Sequence, residues 1–201
     1  MKEFTALFLK DIKSEYRKRA SLNGIFLYVV STVFVAYLIF NQIEDLKTWL
    51  ALFWIILIFA STNASIHSFR SESSSEFYYF YGLINPFQLI LAKLSFNAIL
   101  LLIIALFNYF LFSILLDNPV ENKSLFLSVI ILGSLGLSAT LTLVSAIASK
   151  TNNNSTLTAI LGFPILLPTI LTSIKASLLC GLGFGWDEVG VYLISLSLLI
   201  V

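Results

Sequence analysis

The chain has 201 residues, 58% of them hydrophobic and 11% charged, with a mean hydropathy of +0.94. A water-soluble domain carries roughly 25% charged residues, so this chain lacks the charge to cover a water-facing surface and must take the bilayer as its solvent. A net charge of +1 gives no indication of a nucleic-acid partner, one Cys excludes a disulfide within the chain, and one His with one Cys excludes a Cys/His zinc cluster.

Residues 1–20 are predicted to form a cytoplasmic interfacial amphipathic helix. Phe4, Leu7, Phe8, Ile12 and Tyr16 recur at helical spacing, with Lys10, Lys13, Ser14 and Arg17 opposite. Asp11 and Glu15 intrude on the apolar side. The basic stretch is too long for a cleaved signal peptide, and no small-residue cleavage site follows the apolar run.

The permease part, 21–201, is punctuated by charge-free intervals. None carries a charge between Arg19 and Glu44, Lys47 and Arg70, Lys93 and Asp117, Lys123 and Lys150, or Lys150 and Lys175. Each exceeds the roughly 20 residues of a spanning helix, which predicts spans near 22–41, 49–69, 86–116, 124–148 and 156–175. A sixth opens after Asp187 and Glu188 and covers 188–201, where the sequence given ends. Thirteen uncharged residues rise only about 20 Å, short of a hydrocarbon core of about 30 Å, so the sixth helix is expected to be incomplete here. The fold class is an all-α, polytopic, six-helix membrane protein with an N-terminal interfacial helix.

Lys and Arg set the orientation. With the N-terminus cytoplasmic, the inner side holds Lys2, Lys10, Lys13, Arg17, Lys18, Arg19, Arg70, Lys93 and Lys150, and the outer side only Lys47, Lys123 and Lys175.

The longest interruption between apolar runs is 69–93, FRSESSSEFYYFYGLINPFQLILAK. Three serines precede the unbroken aromatic run Phe77 to Tyr81, and Asn85 with Pro86 signals a helix start. Such a segment reads as a short helix at the membrane surface. Composition alone makes it an aromatic belt at the headgroups; the sharper reading is a docking element for a soluble partner.

Other chemistry is sparse. His67, the sole histidine, ends the second span and reads as a polar helix-end residue in preference to a haem ligand. Cys180 falls in the outer 176–187 loop with no second Cys to resolve it, and Gly181, Gly183 and Gly185 fail as a phosphate loop because Trp186 takes the last position of the pattern. Gly133, Gly136, Ser138 and Ala139 suit close helix packing. Pro164 and Pro168 form a tolerated kink or a conformational hinge. No charged residue lies mid-span, so ion coupling has no relay, and energy for work must come from a partner.

Three passages carry a family resemblance: FYYFYGLINPFQLILAK at 77–93, the double-proline GFPILLP at 162–168, and WDEV at 186–189. Together with the basic interfacial helix and the missing nucleotide motif, they resemble the CcmB permeases of cytochrome c maturation, with ABC-2-type architecture. The resemblance implies a permease subunit, not an enzyme, in a haem-exporting ABC transporter of the bacterial inner membrane. Haem is its implied substrate, exported or released on a loaded chaperone, and no cofactor is held covalently. Implied partners are an ABC ATPase subunit (CcmA-like), a haem-handling membrane protein (CcmC-like), a periplasmic haem chaperone (CcmE-like) and a second permease copy. It also turns 69–93 into the ATPase-coupling element, with Arg70, Glu72, Glu76, Phe77, Tyr78, Tyr79, Tyr81 and Pro86 as its residues. The alternatives are an ABC-2 permease for a lipid-linked or drug-like substrate, and a non-transporting membrane scaffold.

Overall fold

A computed structural model describes residues 2–17, 19–70, 86–148 and 154–200, all helix apart from the short connections. Seven helices occur among the described residues: α1 (Lys2–Arg17), α2 (Arg19–Phe40), α3 (Leu46–Arg70), α4 (Pro86–Leu115), α5 (Lys123–Ala148), α6 (Asn154–Gly181) and α7 (Trp186–Ile200). Helices α2 to α6 are each long and apolar enough to cross a bilayer. That fits the demand that every backbone polar group in lipid be satisfied within its own segment. α7 has 15 residues in this chain.

The central helix is α5, which packs against α3, α4, α6 and α7, while α1 lies across α4 and touches α2. Lipid is as apolar as Leu, so helices associate in it through close packing, not through removal from water. Small residues make that possible. A Cβ at Gly133 would stand 2.7 Å from Trp54 Cη2 and 3.0 Å from Ser173 Oγ, and one at Gly136 would stand 2.8 Å from Thr169 Cγ2. The small-residue stripe therefore seats α5 against α3 and α6. Trp54 fills the space, its Nε1 donating to Ser177 Oγ at 3.1 Å.

The end of the bundle away from α1 is cross-braced. Trp49, Phe53, Phe112 and Phe126 are fully buried, with Trp49 edge-on to Phe112 at 5.2 Å and Phe53 edge-on to Phe112 at 5.5 Å. Edge-to-face pairs add about 0.5–1.5 kcal/mol beyond burial. Trp49 Nε1 donates to the Asp117 carbonyl at 2.7 Å, which ties the start of α3 to the α4–α5 connection. Asp45 caps α3: its carboxylate accepts from the Thr48 amide at 2.9 Å and from the Thr48 hydroxyl. Those Thr48 hydrogen bonds, the hydroxyl's first, hold the Asp45 carboxyl below the usual range.

Helix α6 closes in a Schellman turn, with the Phe184 amide donating to the Leu179 carbonyl at 3.0 Å and Gly183 N to Cys180 O at 3.3 Å. Gly183 has φ 81°, which explains a glycine there. Asn122 then staples this turn to the α4–α5 connection, donating to the carbonyls of Gly183 at 3.2 Å and Phe184 at 2.7 Å. The glycines at 181–185 thus serve a helix end.

One sequence boundary is corrected. The fifth span was expected to end at 175, with Cys180 in a loop. Helix α6 instead runs to Gly181, and Cys180 is fully buried in its last turn. Lys175 is an exposed residue of the helix, where its long stem lets the ammonium reach water while the backbone stays helical.

Candidate coupling site at the α3–α4 junction

The residues expected to meet a partner ATPase divide between helix ends and the segment joining them. Arg70 is the last residue of α3 and Pro86 the first of α4. Glu72, Glu76, Phe77, Tyr78, Tyr79 and Tyr81 lie outside the described residues. What the structure does show is how the two anchors of that segment are held together.

Lys93, in the second turn of α4, is only 4% exposed. Its ammonium donates to the Ser68 carbonyl at 3.2 Å and lies 3.7 Å from Asp11 Oδ1 of α1. Ser68 is two residues from the end of α3, where the last four carbonyls of a helix lack intrahelical donors and the helix dipole is negative. A cation placed there meets two attractive partners, the carbonyl end of α3 and the Asp11 carboxylate. Three helices are thereby joined at one buried charge. Beside it, Leu7 of α1 packs with Leu89 and Ala92 of α4 in a small apolar cluster. The acid that spoils the amphipathic pattern of α1 is therefore the one that fastens α1 to the bundle. Sequence reasoning missed this pair. Its only signal was an acid on an apolar face, with its partner 82 positions away.

Above this junction the interior between α3, α4 and α5 is polar. Asn97 Nδ2 donates to Thr142 Oγ1 at 3.0 Å, and Ser61 and Ser65 of α3 and Ser138 and Ser145 of α5 are also buried. Nearer the far end, Asn108 Nδ2 donates to the Phe53 carbonyl at 3.2 Å. Buried serines at helix contacts let backbones approach while giving spare hydrogen-bonding capacity.

The remaining sequence candidates are placed clearly. His67 is exposed on α3, three residues before its end. Pro164 and Pro168 sit within α6, which stays helical through both. Both are exposed, as are Phe163 and Leu171, whereas Gly162, Leu166 and Thr169 face the bundle. The helix's weakened backbone face thus points away from its own chain. Thr172 returns its hydroxyl to the Pro168 carbonyl. Among the described residues no group of three or more His, Cys, Asp or Glu could hold a metal ion.

The family model described as CcmB protein matches residues 2–201, nearly the whole chain. The chain belongs to the CcmB family. Comparisons with curated proteins and with solved structures return no match. CcmB proteins are the membrane component of the haem-exporting ABC transporter of c-type cytochrome biogenesis, so this chain is a multi-pass membrane protein and a transporter permease subunit. The spanning-length helices α2 to α6 agree with that membership.

Proposed function

We propose that this CcmB chain couples ATP hydrolysis on a partner ABC subunit to haem export, or to release of a haem-loaded chaperone. The supporting observation is the family match over 2–201. In this reading the chain is an ABC-2-type permease of six spans in the bacterial inner membrane, with α1 on the cytoplasmic side and two copies per complex. The ATPase docks on 69–86, through Arg70, Glu72, Glu76, Phe77, Tyr78, Tyr79 and Tyr81 up to Pro86. Motion of that segment enters the bundle at its two anchors, which Lys93 binds to each other and to α1. Pro164 and Pro168 give α6 the flexibility to follow. Haem is substrate and not a resident cofactor; a CcmC-like membrane protein and a CcmE-like chaperone handle it on either side of the step.

Purification with the CcmA-like ATPase tests the reading. ATP turnover is measured with and without the haem chaperone. Co-purification of the ATPase, haem absorbance in the complex and chaperone-dependent turnover are expected. An ATPase without haem would move the chain to a lipid-linked or drug-like substrate, and absence of both would make it a scaffold.

A further inference from the structure

On the flank of the bundle where α1 crosses α2 and α4, an open groove of about 430 Å³ faces the lipid. Phe8 and Ile12 of α1 form its upper edge, Leu22 of α2 one wall, and Phe96, Ile99 and Ile103 of α4 the other. Every side chain lining it is apolar. From Phe96 to Ile103 the helix rises about 10 Å, at 1.5 Å per residue, so the groove runs from the level of the interfacial helix toward the bilayer interior. Ile12, Ile99 and Ile103 remain 42%, 51% and 48% exposed, and none of the described residues covers them.

Where the side chains of its polar edge are described, that edge is basic. Lys13 is exposed one helical turn from Leu9, itself 62% exposed on the lipid-facing flank. Lys10 lies between them on the same helix. Asp11 is already engaged with Lys93 at 3.7 Å and turned into the bundle. Across residues 1–19, six basic side chains stand against three acidic ones. Below the helix the surroundings demand hydrocarbon; beside it they favour an anion at headgroup depth.

We infer that this groove is a binding site for one anionic phospholipid from the leaflet on the α1 side, with an acyl chain between α2 and α4 and its phosphate beside Lys13. The lipid completes the contact between α1 and the bundle, where α1 meets α2 only sparsely.

The test is native mass spectrometry of the full chain reconstituted in vesicles of equal phosphatidylglycerol and phosphatidylcholine, then extracted into mild detergent. One phosphatidylglycerol per chain should be retained, about fivefold over phosphatidylcholine, the preference expected of one lysine at the membrane surface. Ile103→Trp fills the groove and should lower total retained lipid about tenfold, since several buried methylenes are displaced. If Ile103→Trp is not monodisperse, Ile99→Trp takes its place. Lys13→Gln should keep the lipid but bring the two headgroups to parity. Equal retention of both lipids by the unaltered chain overturns the proposal, as does undiminished retention by the folded Trp variant. Ile99→Cys in a Cys180→Ser background checks the other occupant: efficient symmetric cross-linking in the membrane would mean that a second copy covers the groove, and would also overturn it.

Discussion

At the scale of single residues, the strongest constraints sit where a rigid group meets a small one. Ala has about 1 kcal/mol better helix propensity than Gly, so an unobstructed Gly→Ala change should stabilise. At Gly133 the new methyl would meet Trp54 at 2.7 Å, and that ring is fixed by its bond to Ser177 at 3.1 Å. Overpacking costs about 1–3 kcal/mol and outweighs the propensity gain. Gly133→Ala should therefore lower the melting temperature in detergent. Gly24→Ala, with nothing within 4 Å of the new atom, should leave it unchanged or raise it. Equal behaviour of the two would remove Gly133 as the seat of α5. Lys93 presents the opposite case, a charge that cannot be left alone. Removing one member of a buried pair costs about 3–5 kcal/mol because the other stays uncompensated. Asp11 retains slightly more water, so Lys93→Ala should destabilise by about 3 kcal/mol, and Asp11→Asn, which leaves the Lys93–Ser68 bond, by less. Urea-induced unfolding of the two variants in detergent gives the comparison. If Asp11→Asn is the more damaging, the carboxylate and not the α3 carbonyl is the main partner.

At the scale of helices, the coupling reading makes its sharpest demand on the aromatic run. Partner interfaces concentrate energy in a few aromatic or Arg side chains, each worth roughly 2 kcal/mol or more. Helical spacing in 77–81 separates Phe77 and Tyr81 from Tyr78 and Tyr79. Replacing Phe77 and Tyr81 together by Ala should weaken ATPase association in co-purification while membrane insertion stays normal. The Glu72/Glu76 double should do far less, since exposed ion pairs are worth under about 1 kcal/mol. If the Phe77/Tyr81 double and the Tyr78/Tyr79 control both keep full ATPase binding and cytochrome c maturation, the run is a lipid belt. Pro164→Ala with Pro168→Ala restores two backbone donors to α6 and should preserve ATPase binding while slowing turnover of the complex. Unchanged turnover would make the prolines passive. The spanning helices were legible in the sequence because charges are excluded from hydrocarbon, and the charge-free intervals therefore traced them. Their ends were less so. Lys175 lies exposed within α6, so the charge-free interval closed before the helix did, and Cys180 was assigned to a loop. The Lys93–Asp11 junction was not legible at all, because it joins α1 to α4 across 82 positions and no local period encodes it.

At the scale of the whole molecule, the alternation of the helices gathers the charges at two ends. The contacts Ser68–Lys93 at one end and Trp49–Asp117 and Asn122–Gly183 at the other fix which connections share a side. The α1 side collects Lys10, Lys13, Arg70 and Lys93. The far side holds Lys47, Lys123 and Lys175 with Glu44, Asp45, Asp117, Glu121, Asp187 and Glu188. Positive charge near span ends is retained in the cytoplasm, while acids have little say, so the α1 side is predicted to be cytoplasmic. Cysteine labelling in intact cells tests this, provided that the probe positions are reachable. Val120 is 2% exposed and unsuitable, whereas neighbouring Glu121 is exposed. Native Cys180 is fully buried and should stay silent. Glu121→Cys should react with a membrane-impermeant maleimide from outside, and Ser74→Cys only after the membrane is opened. The opposite pattern at both positions would invert the molecule. It would set 69–86 on the wrong side for any ATPase and end the coupling model together with the topology.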